Sequence, residues 1–179
     1  MSSERRSSLS STLPGIICTP THTSLNDTPP TPSEKPFTIN GGVTSVPENG
    51  HTYMIREVDS GRAITLVNGR LTLVLDAGTR GGWHWCCEEH SSGWIGFRDA
   101  VSGKYLGHDN KGGYMVRAEK LRAWESFVLR PREKGGYNLF VKDWDTLKPM
   151  GVDNIDGQTP RLVNAPSLEK AARWEFVEV

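Results

Sequence analysis

Residues 55–64 read IREVDSGRAI, and the pattern returns as FRDAVSGKYL at 97–106 and as VKDWDTLKPM at 141–150. Each copy begins with an apolar, a basic and an acidic residue, and each has a basic residue two places before its apolar last residue. Asn68, Asn110 and Asn154 then follow at the same distance from the end of each copy. A spacing of about 43 residues is typical of repeats made of one supersecondary unit, so the sequence predicts three internal repeats.

The first repeat has room for four short strands, which we predict at 53–58, 62–67, 70–75 and 83–88. Asn68-Gly69 is a strong two-residue hairpin signal, because both turn positions need positive φ. One such unit cannot bury its own apolar face, whereas three units around an axis share a core and leave few exposed edges. The prediction is an all-β fold, a β-trefoil of three four-stranded repeats. It covers residues 49–179, with repeats at about 50–92, 93–135 and 136–179.

Threefold packing predicts that core positions come in sets of three. The first repeat aligns with the second without a gap from Ile55 to Trp85, and the third has extra residues at about 156–166. The predicted sets are Ile55, Phe97 and Val141; Ile64, Leu106 and Met150; Leu73, Met115 and Leu162; and Trp85, Phe127 and Phe176.

Residues 1–48 differ in composition from the rest of the chain. They are rich in Ser, Thr, Pro and Asn, as in the run TPPTP at 28–32. A segment with so little apolar surface cannot offset the entropy that is lost on folding. We therefore predict a disordered Ser/Thr/Pro-rich tail in front of one folded domain.

Charge and cysteine content narrow the function classes. Lys and Arg together number 21, as do Asp and Glu, so the formal net charge is zero and gives no general attraction for nucleic acid or an anionic membrane. Three cysteines, of which Cys86 and Cys87 are adjacent, make a poor disulfide framework and indicate a reducing compartment. We see no apolar signal segment and no stretch of about 20 apolar residues. A soluble cytoplasmic protein without a membrane span is expected.

The second repeat carries a family resemblance. Residues 102–107 read SGKYLG, residues 114–118 read YMVRA and residues 125–129 read ESFVL. This sequence resembles one repeat of a fascin-type β-trefoil, of the actin-crosslinking-like superfamily. The resemblance implies a binding or scaffolding protein. Fascins bundle actin filaments with several trefoils in one chain, whereas this sequence has a single trefoil, so bundling would need a dimer or the tail.

Ricin-type trefoil lectins provide a second comparison, because they carry Gln-x-Trp at the end of each repeat. The corresponding segments here read RGGW at 80–83, LRAW at 121–124 and ARW at 172–174, and none contains the Gln. The fold alone does not give the function, so the sites must decide it.

Residues 84–90, HWCCEEH, contain side chains that zinc prefers. Neighbouring side chains on a strand alternate between two faces, so His84 and Cys86 share a face but four ligands do not converge. Neither an oxyanion hole nor a phosphate-binding loop is marked by its spacing. We therefore predict no metal, no cofactor and no catalytic residue, with Cys87 as a small core residue next to Trp85.

Three carboxylates, Glu57, Asp99 and Asp143, occupy the same place in the three repeats, so threefold symmetry keeps them apart. We predict that they serve their turns or pair with the neighbouring Arg and Lys residues, and do not form an acid–base pair. The chain is expected to be non-enzymatic.

Exposed aromatic residues provide the best candidate for a ligand site. Trp144 lies three places beyond the predicted core residue Val141, so alternation directs its side chain outward. An exposed indole can stack on a sugar face while carboxylates accept the sugar hydroxyls; the alternative is a Trp that covers the barrel mouth. We place Trp94 and Trp144 in the first strands of repeats two and three. The predicted ligand site consists of Trp94, Trp144, Asp143, Asp145 and Asp153.

Basic residues are concentrated in the second repeat and can form one patch there. Such a patch would bind an acidic protein such as actin. Nucleic acid is not expected, because the net charge is zero and few aromatic residues interleave with the basic ones. The predicted basic patch consists of Arg117, Lys120, Arg122, Arg130, Arg132 and Lys134.

Together these features predict a non-enzymatic binding or scaffolding protein. A protein partner is the first choice, with actin as one candidate, and an intracellular carbohydrate-binding trefoil is the alternative. A third class, an accessory or enzymatic protein of a small-molecule pathway, stays open because trefoil loops accept insertions.

Overall fold

The structure is a computed structural model that describes residues 45–75, 82–154 and 159–179. The predicted tail, residues 1–48, lies outside the described residues apart from 45–48. No helix in the described part is long and apolar enough to cross a membrane. Two short 3₁₀ turns occupy Ala123–Glu125 and Leu168–Lys170. The strands are β1 (Thr52–Glu57), β2 (Ala63–Val67), β3 (Arg70–Val74), β4 (Trp85–Glu89), β5 (Ile95–Asp99), β6 (Tyr105–His108), β7 (Tyr114–Ala118), β8 (Phe127–Pro131), β9 (Tyr137–Asp143), β10 (Thr146–Asp153), β11 (Arg161–Asn164) and β12 (Trp174–Glu178).

Half of these strands form a closed antiparallel barrel. β1 pairs with β4 and β12, β5 pairs with β4 and β8, and β9 pairs with β8 and β12. The remaining strands form the hairpins β2–β3, β6–β7 and β10–β11, one for each repeat. Closure leaves the barrel strands without free edges. This architecture is a β-trefoil, and the predicted fold class is confirmed.

Three aromatic rings meet in the interior of the barrel. Phe97 stacks on Phe176 with ring centroids 5.5 Å apart, and its centroid lies 5.7 Å from that of Phe127. Two of the predicted core sets, the one that begins with Ile55 and the one that begins with Ile64, are buried in the same cluster. Each such side chain contributes about 1.5–3 kcal/mol when it is fully buried. The shared interior therefore holds the three repeats together.

The predicted core position Met115 is wrong. Met115 is only partly buried, and the core residue of β7 is its neighbour Val116. The cause is an irregularity in the pairing of β6 with β7, between Tyr105 and Leu106, which places Val116 opposite Leu106. A bulge shifts the side-chain alternation of a strand by one residue.

The predicted alignment of the fourth strands also needs correction. Cys87, Phe127 and Phe176 are the true counterparts, because each pairs with the first core residue of the neighbouring repeat. Trp85 is buried as predicted, but its counterpart is Trp174, since both pair with the carboxylate residue that ends a first strand. The gapless alignment of repeats one and two therefore fails before β4.

Candidate ligand-binding site

In repeats one and two, the acidic residue at the end of the first strand, Glu57 or Asp99, forms hydrogen bonds with the turn that follows it. The Ser60 hydroxyl donates to the Glu57 carboxylate, and Gly61 N–H donates to the Glu57 carbonyl oxygen. In the second repeat, Ser102 N–H donates to Oδ2 of Asp99 over 2.7 Å. The prediction that these carboxylates serve their turns is confirmed for Glu57 and Asp99.

The equivalent turn of repeat three is shorter. Thr146 pairs directly with Asp143, which leaves Trp144-Asp145 as the whole loop. Trp144 has a φ of 53°, in the left-handed region that Gly61 and Gly103 occupy in the other repeats. That region costs a residue with a side chain about 1–2 kcal/mol. Residues held in such conformations cluster at functional sites.

The side chain of Trp144 points into solvent, with 68% of its surface exposed. The predicted outward direction is therefore confirmed. Its placement in a strand is wrong, because Trp144 lies in the turn between β9 and β10.

The Asp143 carboxylate makes no hydrogen bond within the described residues. Its side chain is 21% exposed, and Nε2 of His108 lies 3.9 Å from its Oδ1. By contrast, its counterparts Glu57 and Asp99 are buried. The short turn supplies no serine for this carboxylate to accept from, so it remains available to a ligand.

Asp143 lines a cleft of about 630 Å³, which we call the Asp143 cleft. Its other walls come from the β10 hairpin strand and from the segment that leads from β11 towards β12. A volume of this order fits a small ligand. The polar side chains that line it include Arg130, Lys148 and Asn164, and the apolar ones include Phe140 and Pro166.

The orientation of Asn164 is fixed by the second repeat. Its N–H donates to the Gly112 carbonyl oxygen over 2.8 Å, and its Oδ1 accepts from the Tyr114 hydroxyl over 2.8 Å. Burial raises the pKa of Tyr114, so the hydroxyl stays a neutral donor. Because Oδ1 accepts from Tyr114, the amide N–H groups of Asn164 are its donors for a ligand. On another wall the guanidinium of Arg130 lies 5.0 Å from the centroid of the Phe140 ring.

A buried histidine lies behind the carboxylate of the cleft. His108 is 1% exposed, and its Nδ1 accepts the N–H of Asn110 over 3.1 Å. This bond places the proton of the neutral ring on Nε2, the atom that approaches Asp143. The other neighbour is Trp124, whose ring centroid is 4.9 Å from that of the imidazole.

The structure separates the other predicted ligand residues from this cleft. The predicted placement of Trp94 in a strand is wrong, because it lies just before β5; Nζ of Lys142 is 5.1 Å from its ring centroid. Lys142 and Asp143 are adjacent on β9 and so face opposite sides. Asp153 forms an ion pair with Arg161 over 3.2 Å. One turn thus unites Asp143, Trp144 and Asp145, whereas Trp94 and Asp153 lie elsewhere.

Sequence reasoning missed Asn164, Lys148 and Phe140. Nothing in their local sequence marks them, because contacts between hairpins bring them to the cleft. The predicted extra residues at about 156–166 overlap this region, but the structure places Asn164 in the regular strand β11, paired with Met150 of β10.

The predicted basic patch is divided among separate clefts. Arg130 belongs to the Asp143 cleft. Two of the other members line a cleft that also contains Asp59 and Arg173, and the remaining three line a cleft next to Trp124. Arg132 and Lys134 line the cleft that contains Asp59 and Arg173. The cleft next to Trp124 is lined by Arg117, Lys120 and Arg122.

The side chains of residues 84–90 contact separate partners. His84 stacks on Trp83 with centroids 3.7 Å apart, and Glu88 accepts a hydrogen bond from Arg98. Burial raises the pKa of Cys87 to about 12, so this core thiol is protonated at neutral pH. Among residues 45–75, 82–154 and 159–179, no group of three or more His, Cys, Asp or Glu side chains could hold a metal ion.

No protein-family model matches this chain, and no curated protein matches its sequence. Solved structures do match it. A GlcNAcα1-4Gal-releasing endo-β-galactosidase from Clostridium perfringens is similar at 17% identity with a TM-score of 0.59. The match covers 72% of this chain and 32% of that enzyme, so this chain spans about a third of its length.

Two shorter proteins match over nearly their whole length. The ricin B-like lectin of Macrolepiota procera, solved in complex with lactose, is 17% identical with a TM-score of 0.56, and the match covers 75% of this chain and 100% of the lectin. ThreeFoil, a designed threefold-symmetric protein, is also 17% identical with a TM-score of 0.56, over 72% of this chain and 99% of its own. Likenesses at this identity show the fold alone, and the fascin-type resemblance stays a prediction. By architecture and by these neighbours, the described domain is a β-trefoil.

Proposed function

We propose that this chain is a non-enzymatic carbohydrate-binding β-trefoil whose sugar site is the Asp143 cleft with Trp144 beside it. The observation that carries the proposal is the short turn of repeat three, which leaves the Asp143 carboxylate without a turn partner and exposes the Trp144 indole. The likeness to a lectin solved with lactose supports the same class of ligand.

The chemistry of the cleft suits a sugar. Sugar hydroxyls donate hydrogen bonds to a carboxylate such as Asp143. The amide N–H groups of Asn164 donate hydrogen bonds to a sugar hydroxyl or ring oxygen. The apolar face of a sugar ring stacks on an exposed indole such as Trp144. Hydrogen bonds to a charged group contribute about 1.5–3 kcal/mol each, so the Asp143 carboxylate is expected to be the main polar anchor of the sugar.

The test is a glycan array probed with the full-length chain, followed by titration of the glycans that bind. We expect Trp144→Ala and Asp143→Asn each to weaken binding by about tenfold or more, which is about 1.4 kcal/mol. Val101→Ala is the matched control, because Val101 is exposed in the equivalent turn of repeat two. A glycan that binds the Trp144 and Asp143 variants as tightly as the parent would overturn the proposed site, and an array without any binding would overturn the function.

A protein partner, with actin as one candidate, is the second function that we propose. It is favoured by the exposure of Trp144, because tryptophan is enriched among residues that anchor protein interfaces. The test is co-sedimentation of the full-length chain with actin filaments, with Trp144→Ala and Val101→Ala in parallel. Sedimentation that Trp144→Ala abolishes supports a protein function, and sedimentation equal to a filament-free control contradicts the actin candidate.

A further inference from the structure

A second cleft lies in the second repeat, away from the turn of Trp144. It has a volume of about 590 Å³ and is formed by the end of β7, the segment that follows, and the 3₁₀ turn Ala123–Glu125. The glycan proposal above does not use this Trp124 cleft. The charged side chains that line it are Arg117, Lys120, Arg122, Glu119 and Glu125.

The three cations of the Trp124 cleft are exposed, and among the described residues the one carboxylate that attracts any of them is Glu125, through Arg122. Arg117, Lys120 and Arg122 form no ion pair or hydrogen bond through their side chains to any other described residue. Unpaired cations around one concave surface attract an anionic group, and guanidinium groups bind carboxylates in a bidentate manner. The charge of these three side chains therefore favours a ligand that carries negative charge.

The acidic residues of the cleft limit how much negative charge the ligand carries. Glu119 is exposed and has no partner among the described residues. Its carboxylate therefore repels a polymer with dense negative charge, and it accepts hydrogen bonds from hydroxyl groups. Glu125 is buried, and burial raises the pKa of its carboxyl group. A mixture of free cations with a free carboxylate fits a ligand that has both hydroxyls and isolated anionic groups.

Trp124 gives the cleft an apolar wall. The indole is half-buried, and its ring lies against the buried imidazole of His108 with centroids 4.9 Å apart. This contact fixes the ring position, so that its remaining surface is a rigid platform for a sugar ring or another flat group.

We propose that the Trp124 cleft is a second ligand site that takes an oligosaccharide containing uronic acid. The ring would lie against Trp124, its carboxylate would bind Arg117 and Arg122, and its hydroxyls would donate to Glu119. The site is separate from the Asp143 cleft, because none of these side chains lines that cleft.

The experiment titrates oligogalacturonate into the full-length chain and follows binding by calorimetry. Carboxyl-reduced oligogalacturonate and a sulfated oligosaccharide are titrated in parallel, which separates the carboxylate from other anionic groups. We expect oligogalacturonate to bind more tightly than its carboxyl-reduced form. We also expect added salt to weaken the binding of oligogalacturonate. We expect the double variant R117A/R122A to bind it about tenfold or more weakly.

Two controls decide the result. The variant R132A/K134A removes the same charge from a different cleft and should leave binding unchanged. Trp144→Ala should also leave it unchanged, so failure of the Asp143 site and failure of this site are distinguishable. The proposal is overturned if both double variants weaken binding equally, or if the reduced oligosaccharide binds as tightly as the uronate. Tighter binding of the sulfated oligosaccharide would overturn it as well.

Discussion

Nε2 of His108 lies 3.9 Å from Oδ1 of Asp143, and this pair connects the interior of the second repeat with the Asp143 cleft. The histidine is on β6 and the aspartate ends β9, so the contact crosses the boundary between repeats. On its other side the imidazole packs against Trp124. One buried side chain thus supports a wall of each proposed ligand site.

His108→Ala should lower the free energy of unfolding by about 2–4 kcal/mol, because it leaves a cavity between Trp124 and Asp143. Denaturant unfolding of the purified chain measures the change. His84→Ala is the matched control and should cost less than about 1 kcal/mol, since His84 is only half-buried. Equal losses in the two variants would show that the buried imidazole does not support the boundary.

Trp144→Gly should raise the free energy of unfolding by about 1 kcal/mol, because glycine adopts the φ of 53° without a steric penalty. The same variant should lose the glycan binding that we propose. Gly103→Ala should have the opposite effect on stability, since Gly103 has a φ of 69°. Thermal unfolding compares the three proteins, and a Trp144→Gly protein less stable than its parent contradicts the interpretation of the turn.

Val116→Ala should cost about 2 kcal/mol of unfolding free energy and more than Met115→Ala, although Met115 has the larger side chain. The reason is that the bulge in the pairing of β6 with β7 turns Val116 into the core. Urea unfolding of both variants tests the register. A larger loss for Met115→Ala would restore the gapless alignment of the repeats.

Cys86 should react with a thiol reagent under native conditions at mildly alkaline pH, and Cys87 should not. Cys87 is buried, and burial raises its pKa to about 12. Cys86 is partly exposed on the opposite face of β4. The measurement is mass spectrometry after labelling of a Cys18→Ser variant. Comparable modification of both residues would mean that Cys87 is not a core residue.

Glu125→Gln should raise stability at neutral pH and lose that advantage in acid. Burial raises the pKa of Glu125 above its ordinary value of 4.5, so the folded state holds the proton more tightly than the unfolded state. Stability therefore falls as the pH rises above the ordinary value, and glutamine removes that loss. Thermal unfolding across acidic to neutral pH measures the difference. Glu133→Gln, at an exposed position, is the control and should shift the midpoint little.

The fold could be predicted from the sequence because a trefoil repeats its core spacing. Ile55, Phe97 and Val141 stand in equivalent places, and the structure buries all three in one cluster. The alignment failed at Trp85 because an aromatic residue was matched to Phe127 by its type. Only the pairing of β4 with β5 shows that Cys87 is the counterpart.

The candidate site could be predicted only in part. Asp143 and Trp144 were found because strand alternation counted from Val141 directs Trp144 outward and a carboxylate precedes it in the sequence. Asn164 and His108 were not, since hydrogen bonds and packing between repeats two and three place them. Trp94 was misplaced because it lies just before β5 and next to Lys142, whose side chain faces the opposite side of β9 from Asp143.

The short turn after Asp143 suggests how the number of sugar sites on the domain can be changed. The turns at 58–61 and 100–103 occupy equivalent places on the barrel, and each contains a glycine with positive φ. Either of these longer turns can therefore be replaced by a two-residue Trp-Asp loop, at a place where a residue with positive φ already stands. If the residues that line the Asp143 cleft are introduced together with the loop, one added loop would give the domain two of the proposed sugar sites, and two added loops would give three. The avidity for a multivalent glycan would then rise although the affinity of each site stays the same.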